Sequence, residues 1–330
     1  WSGMQHNQVE ILLQRAELAS YTLQLGATKD VKLLKVEKGD SPNYLFVTLE
    51  IGEKAMPQKV PLVFSKGTQS FTVEFPVMAR NTMPKAQGVD SRDVVYMLMP
   101  DRFANGDLSN DSIAGMLQKA DRSNMEARHG GDLAGVRMHL DYLQDLGITA
   151  LWLNPELEND QPRASYHGYA VTNHYLVDRR FGSNEQYRQL VSECHRRGIK
   201  MIRDVVLNHI GSNHYWMKDL PTKDWLNQWP AYTNTSFRAP TILDPYASEY
   251  DKKMFNDGWF DVDMPDLNQR NPHVANYLIQ QAIWWTEYAG LDGFRIDTYT
   301  YSDQAFMSKW CADVRKEYAN MAMLGEIREQ

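Results

Sequence analysis

Three carboxylates stand where apolar, strand-like segments of the sequence end, namely Asp204, Asp297 and Glu326. Because apolar residues precede each of them, we expect all three at the mouth of a parallel sheet rather than along a solvated face. Arg295 lies two residues before Asp297. Side chains two residues apart on a strand point the same way, so the guanidinium is expected to keep that carboxylate ionised.

Asp297 and Glu326 lie about one βαβ unit apart, roughly 30 residues, which places them on neighbouring strands. Two neighbouring carboxyl groups, one held ionised and the other able to stay protonated, are the groups that cleave glycosidic bonds. A single carboxylate at a strand end is more often a cap or half of an ion pair. The arrangement of all three indicates glycoside hydrolysis.

The first 85 residues predict a small β-sandwich, because short β-rich segments alternate with turn groups at a spacing of roughly ten residues. The segments are Val9–Leu13, Tyr21–Leu25, Val31–Val36, Tyr44–Ile51, Lys59–Phe64 and Ser70–Phe75. Residues 81–91, with Pro84 and Gly88, are interpreted as a linker.

Strand, loop and helix patterns alternate from residue 93 onward, which predicts an α/β architecture with a parallel sheet. The predicted strands are 94–99, 148–153, 200–206, 294–297 and 321–325, and the first is expected to be buried on both faces. The predicted helices are 132–146, 183–198, 271–290 and 303–318. No strand is followed by a nucleotide-binding glycine motif, and the polar strand ends favour a (β/α)8 TIM barrel over an open sheet.

The domain prediction follows from these elements: a β-sandwich at 1–85, the first part of the barrel at 86–208, an inserted subdomain B after the third barrel strand at 209–263, and more of the barrel at 264–330. Trp216, Trp225, Trp229 and Tyr232 of the insertion are expected to stack on sugar rings.

The composition excludes several classes of function. The net charge of −7 argues against a nucleic-acid-binding surface. No apolar run approaches the ~20 residues needed to cross a bilayer. The two cysteines, Cys194 and Cys311, have no zinc-binding spacing. By contrast, 9 Trp and 17 Tyr residues suit flat, hydroxylated ligands.

Several motifs together resemble those of the α-amylase family of glycoside hydrolases, in the form found in cyclomaltodextrinases and neopullulanases of Bacteroides-type bacteria. The resemblance covers nearly the whole chain and rests on residues 204–209 (DVVLNH), 293–297 (GFRID), 325–326 (GE), 264–268 (MPDLN), 166–169 (YHGY), 177–182 (VDRRFG), 1–4 (WSGM) and 42–47 (PNYLFV).

The resemblance implies a retaining hydrolase of α-1,4-glucosidic bonds in cyclodextrins, pullulan or maltooligosaccharides. It implies Asp297 as the nucleophile and Glu326 as the acid and then the base. The implied substrate-binding residues are Arg295, His209, His167, Tyr169 and Asp204. An α-glucan is therefore the expected partner. The location implied by the family is periplasmic or secreted, with a cytoplasmic location left open.

The loop that begins at Asn105 is dense in oxygen donors of the kind that Ca²⁺ prefers. It is not an EF-hand, because position 12 is Met116 instead of Glu, and alone it is also compatible with an Asx turn. Similarity to the calcium loop of cyclodextrin-handling family members implies a structural calcium site. Its ligands would be Asn105, Asp107, Asn110, Asp111, the Gly130 backbone and Asp132.

The family's fourth signature, a His-Asp pair on the seventh strand, has no counterpart among these residues. We therefore expect the sequence to be the amino-terminal part of a longer chain, the alternative being a catalytically incomplete fragment. Two other functions stay open: a non-catalytic barrel that binds carbohydrate or acts as a scaffold, and an unrelated metal-dependent barrel hydrolase. The β-sandwich has three open roles, namely homodimer formation, substrate contact and packing against the barrel.

Overall fold

The computed structural model describes residues 1–327 and begins with the predicted β-sandwich. Its six strands are β1 (Gln8–Gln14), β2 (Thr22–Leu25), β3 (Val31–Lys38), β4 (Tyr44–Ile51), β5 (Gln58–Lys66) and β6 (Gln69–Val77). They form two antiparallel three-stranded sheets, with the orders β1-β4-β3 and β2-β5-β6. Alternate residues such as Val47, Leu49, Val60 and Leu62 fill the space between the sheets, because side chains at a period of two share one face.

The second unit contains the predicted parallel sheet. Its strands, with a small separate pair, are β7 (Val95–Leu98), β8 (Ala150–Leu153), β9 (Leu157–Glu158), β10 (Asn173–Val177), β11 (Lys200–Val206), β12 (Gly293–Asp297) and β13 (Ala322–Gly325). The sheet has the order β7-β8-β11-β12-β13 with all neighbours parallel, whereas β9 and β10 pair antiparallel. This confirms the predicted fold class, five strands of a TIM barrel preceded by a β-sandwich.

Helices connect the strands of this sheet. They are α1 (Pro100–Phe103), α2 (Leu133–Met138), α3 (Leu140–Asp145), α4 (Asn184–Arg196), α5 (Glu249–Asp257), α6 (Pro272–Trp285) and α7 (Gln304–Glu317). Side chains cap the N-termini of α4 and α6: the Ser183 side chain accepts a hydrogen bond from the N–H of Gln186, and that of Asn271 accepts from the N–H groups of His273 and Val274. None of the helices within residues 1–327 has the length and apolarity needed to span a lipid bilayer.

Two details of the sequence prediction were wrong. The helix predicted over 132–146 is divided at His139, whose ring Nδ1 lies 2.9 Å from the Gly135 carbonyl oxygen, the usual acceptor of its backbone N–H. That N–H bonds the Val136 carbonyl instead. The first barrel strand is not buried on both faces within residues 1–327, where β7 lies at the edge of the sheet and Met97 is 53% exposed.

The β-sandwich packs against the outside of the barrel at β1 and α6. The Gln280 amide on α6 accepts a hydrogen bond from the Glu10 backbone N–H and donates one to the Glu10 carbonyl. The His273 ring stacks on Phe46 with the centroids 3.8 Å apart. Packing against the barrel is therefore one role of this domain. The predicted domain limits stay predictions, and residues 328–330 of the last predicted domain lie outside the described part.

Candidate active site

Three neighbouring strands bring the predicted carboxylates together around one guanidinium. In the sheet register Asp204 of β11 lies beside Arg295 of β12, and Glu326 directly follows β13. Arg295 Nη1 lies 2.7 Å from Asp297 Oδ1 and 2.9 Å from Asp204 Oδ1, while its Nη2 lies 2.9 Å from Glu326 Oε2. The expectation that the strand ends place these four side chains together is confirmed.

A cavity of about 250 Å³ opens above these strand ends. It is lined by His167, Tyr169, His209, Phe260, Met264, Arg295, Asp297, Thr298, Tyr301 and Glu326. The lining includes every predicted catalytic and substrate-binding residue except Asp204. The Asp204 carboxylate is buried below the cavity, where its Oδ2 accepts hydrogen bonds from the Tyr169 hydroxyl and the Trp152 indole, both at 3.0 Å.

The electrostatics of Asp297 differ from the expectation that Arg295 keeps it ionised. Burial, and then the charge of Asp204, raise the pKa of Asp297 to about 7, and Glu326 adds to this rise. Arg295 acts in the opposite direction, but its single positive charge is shared among three carboxylates. Desolvation therefore outweighs the guanidinium at this carboxyl group.

Burial also raises the pKa of Asp204 to about 6, although Arg295 and the hydrogen bonds from Trp152 and Tyr169 lower it. The Asp204 carboxylate accepts hydrogen bonds from Arg295, Trp152 and Tyr169 below the cavity. It connects Arg295 to Tyr169, whose ring lies 5.7 Å from the guanidinium carbon. A change at Asp204 is expected to affect both the aromatic wall of the cavity and the charge on Asp297.

Both predicted histidines are held as neutral hydrogen-bonding groups. Burial lowers the pKa of His167 to about 4 and that of His209 to about 3. The Tyr169 backbone N–H donates to His167 Nδ1 at 2.9 Å, so the ring proton lies on Nε2. His209 Nε2 is buried and has no hydrogen-bond partner among residues 1–327. Both rings can therefore offer a polar nitrogen to a hydroxylated ligand.

Sequence reasoning missed several residues of the site. Phe260 stacks on His209 with the ring centroids 5.3 Å apart, and Trp152 binds Asp204. Trp152 could have been predicted from the sequence, since it lies on a strand of the parallel sheet. Phe260 comes from the irregular insertion, where no sequence pattern indicated its position.

The expectation that Trp216 and Trp225 stack on sugars is wrong. Both indoles are fully buried and pack against each other at 5.0 Å. The Trp229 ring is half-buried with its Nε1–H bonded to the Asp257 carbonyl, and Tyr232 is exposed. Of these four aromatic residues, Trp229 and Tyr232 remain accessible to a sugar at the surface of the insertion.

The loop between α1 and α2 gathers the predicted calcium ligands. The amide oxygens Oδ1 of Asn105 and Asn110 are buried and have no hydrogen-bond partner among the described residues. Asn105 Nδ2 donates to Asp111 Oδ1 at 2.6 Å. The Gly130 backbone, at φ +88°, lies so close to the Asp111 carboxylate that a Cβ at this position would be 2.7 Å from Asp111 Oδ1. Orphaned, buried amide oxygens beside a carboxylate fit a hard cation.

Two other predicted ligands already have partners inside the loop. Asp132 Oδ1 accepts a hydrogen bond from the Gly135 N–H at 2.6 Å, and Oδ2 accepts one from the Asp107 N–H at 2.9 Å. Asp107 Oδ1 accepts bonds from the N–H and the hydroxyl of Ser109. These two carboxylates therefore stabilise the loop itself, and the fit to a cation is best at Asn105, Asn110, Asp111 and the Gly130 backbone.

Comparison with known families agrees with this architecture. A family model described as "Alpha amylase, catalytic domain" matches residues 97–329. A second model, "Cyclomaltodextrinase, N-terminal", matches residues 1–81.

Individual relatives are similar to 71% of the chain. A cyclomaltodextrinase from Thermoanaerobacter pseudethanolicus is 32% identical over 71% of this chain and 39% of its own length. Neopullulanase 2 from Thermoactinomyces vulgaris is 35% identical over 71% and 38%. The crystal structure of an Anoxybacillus α-amylase superposes with a TM-score of 0.61 and 34% identity, covering 71% of this chain and 47% of that one. The chain thus spans about 40% of the length of these two curated relatives.

Proposed function

The chain belongs to the α-amylase family of glycoside hydrolases, and we propose that it carries the two catalytic carboxylates of a retaining α-glucan hydrolase. The substrate class is α-1,4-linked glucans, namely cyclodextrins, pullulan or maltooligosaccharides. The observation that carries the proposal is that Asp297 and Glu326 line one cavity while binding the two Nη atoms of Arg295. Similarity to a cyclomaltodextrinase and a neopullulanase supports the substrate class.

In the proposed first step, a carboxylate oxygen of Asp297 attacks the anomeric carbon of the sugar. The bond to the glycosidic oxygen breaks, its electron pair stays on that oxygen, and Glu326 donates the proton. In the second step Glu326 removes a proton from water, which displaces Asp297 from the anomeric carbon. Two inversions give net retention.

Neutral side chains surround the position proposed for the sugar. The Nε2–H of His167 donates to a hydroxyl, His209 offers its Nε2, and the Tyr169 ring provides an apolar face. Neutral donors suit a neutral ligand, because a buried imidazolium would carry an uncompensated charge. Arg295 supplies the positive charge beside the carboxylates.

The general test is the release of reducing sugar from β-cyclodextrin, pullulan and maltoheptaose by the full-length protein. We expect release from at least one of these glucans. A folded protein that binds these glucans but releases nothing from any of them would support a non-catalytic binding function instead.

The raised pKa of Asp297 predicts an unusual pH dependence. A nucleophile must be ionised, so kcat/KM is expected to fall as the pH drops through about 7. Asp204→Asn removes a charge that raises this pKa, so the acid limb of the profile moves to lower pH. The measurement is kcat/KM for maltotriose from pH 4 to 9, with Asp141→Asn, a change at an exposed carboxylate, as the control. An acid limb that stays fixed in Asp204→Asn contradicts the electrostatic account.

We also propose that the loop between α1 and α2 binds Ca²⁺ through Asn105, Asn110, Asp111 and the Gly130 carbonyl. The support is the pair of orphaned amide oxygens beside Asp111. When bound, the ion would give these two amide oxygens a positively charged partner and would hold the loop against α2.

Removal of calcium is expected to lower the thermal stability. Saturation at about 100 times Kd contributes roughly 2.7 kcal/mol, which corresponds to about 4 °C in Tm for a chain of 330 residues. Asn110→Ala should abolish the difference between Tm in Ca²⁺ and in EDTA, whereas Asn320→Ala, an exposed asparagine, should preserve it. Equal Tm values of the unmodified protein with and without Ca²⁺ would refute the site.

A further inference from the structure

The residue after the proposed nucleophile has a strained backbone. Thr298 lies in the left-handed region at φ +45°, which is unusual for a β-branched residue. The Tyr301 N–H donates to the Thr298 carbonyl at 2.9 Å and closes a tight turn directly after β12. Such strain persists only where the surrounding structure enforces it.

The consequence of this conformation is the direction of one N–H group. The Thr298 backbone N–H donates to Glu326 Oε2 at 2.9 Å, and Arg295 Nη2 lies 2.9 Å from the same oxygen. Glu326 Oε1 accepts no hydrogen bond from any group within residues 1–327. The two oxygens of this carboxyl group are therefore not equivalent.

We propose that Thr298 is a positioning residue that fixes Oε2 of Glu326 as a hydrogen-bond acceptor and leaves Oε1 as the oxygen that delivers the proton. Oε2 faces two N–H donors. If it also carried a proton, that proton would point toward one of the two N–H hydrogens and be repelled by it. The inference rests on the proposed function, because it assigns an atom to the acid step. In that step the Oε1–H bond breaks, the proton goes to the glycosidic oxygen, and the charge that remains on the carboxylate is stabilised at Oε2.

The end of β13 is shaped for this contact. Gly325 precedes Glu326, and a Cβ at Gly325 would lie 2.8 Å from Cγ of the Tyr299 ring. Only a residue without a side chain lets β13 approach the turn at Thr298 this closely. Backbone geometry on both strands therefore sets the position of the acid.

The test removes the N–H and keeps the side chain. Thr298 is replaced by its α-hydroxy acid in the full-length protein, which converts the amide to an ester. We expect kcat/KM for maltotriose to fall about 10- to 100-fold, the range for a hydrogen bond to a charged group. We expect kcat/KM for α-maltosyl fluoride to fall less than about threefold, because fluoride leaves without a proton.

Two further variants separate positioning from folding. The same ester at Thr300, in the same turn, should leave both rates unchanged. Thr298→Gly keeps the N–H and relieves the strained φ of +45°, so it should raise the Tm. Equal losses for maltotriose and the fluoride, or no loss for either, would overturn the proposal for Thr298. Inactivity of the unmodified protein towards both substrates would instead refute the proposed function.

Discussion

Asp297→Asn is expected to lower kcat for maltotriose by about 10⁴-fold or more, because the amide cannot form the covalent glycosyl-enzyme. The variant should still fold. Burial and neighbouring carboxylates raise the pKa of Asp297, so the ionised group destabilises the folded state at pH 8. The variant is therefore expected to unfold at the same temperature as the unmodified protein or at a higher one.

Chemical rescue identifies the role of this carboxylate. In Asp297→Gly, azide can enter the space of the lost side chain and attack α-maltosyl fluoride from the opposite side of the leaving fluoride. The carbon–fluorine bond breaks as the carbon–azide bond forms, and the product is the β-maltosyl azide. Asp141→Asn serves as the control and should keep full activity, because that carboxylate is exposed and its ion pair within residues 1–327 is with Arg197. Formation of the α-azide, or retained turnover in Asp297→Asn, would show that the nucleophile is another group.

Glu326→Gln is expected to lower kcat/KM more for a substrate whose leaving group needs a proton than for one whose leaving group does not. For maltotriose, kcat/KM should fall about 10²- to 10⁴-fold, the usual contribution of a general acid. For α-maltosyl fluoride, whose leaving group needs no proton, kcat/KM should fall by less than about tenfold. The measurement is the ratio of the two losses. Equal losses for both substrates would mean that Glu326 does not act as the acid and would leave only a role in binding.

The positions of the carboxylates that we propose to be catalytic could be predicted from the sequence, because they depend on local rules. Alternation along β12 places Arg295 and Asp297 on one side, and parallel strands bring their ends to one edge. The loop that we propose to bind Ca²⁺ was recognisable because its oxygen donors lie close together in sequence.

The remaining features depend on tertiary contacts that no local pattern contains. The raised pKa of Asp297 results from its burial beside Asp204, which is distant in sequence. The burial of Trp216 and Trp225 results from their packing against each other, and Trp225 also stacks on Phe46 of the β-sandwich. The left-handed conformation of Thr298 likewise had no signal, since threonine rarely adopts it.

The most direct test of the account is to trap the covalent intermediate. In 5-fluoro-α-D-glucosyl fluoride the ring fluorine slows both steps by destabilising the oxocarbenium-like transition states, while the fluoride leaving group keeps the first step accessible. Proteolysis and mass spectrometry of the inactivated full-length protein should place the fluoroglucosyl group on Asp297. Attachment to Glu326 or to any other residue, or turnover of maltotriose with inversion of configuration, would contradict the account.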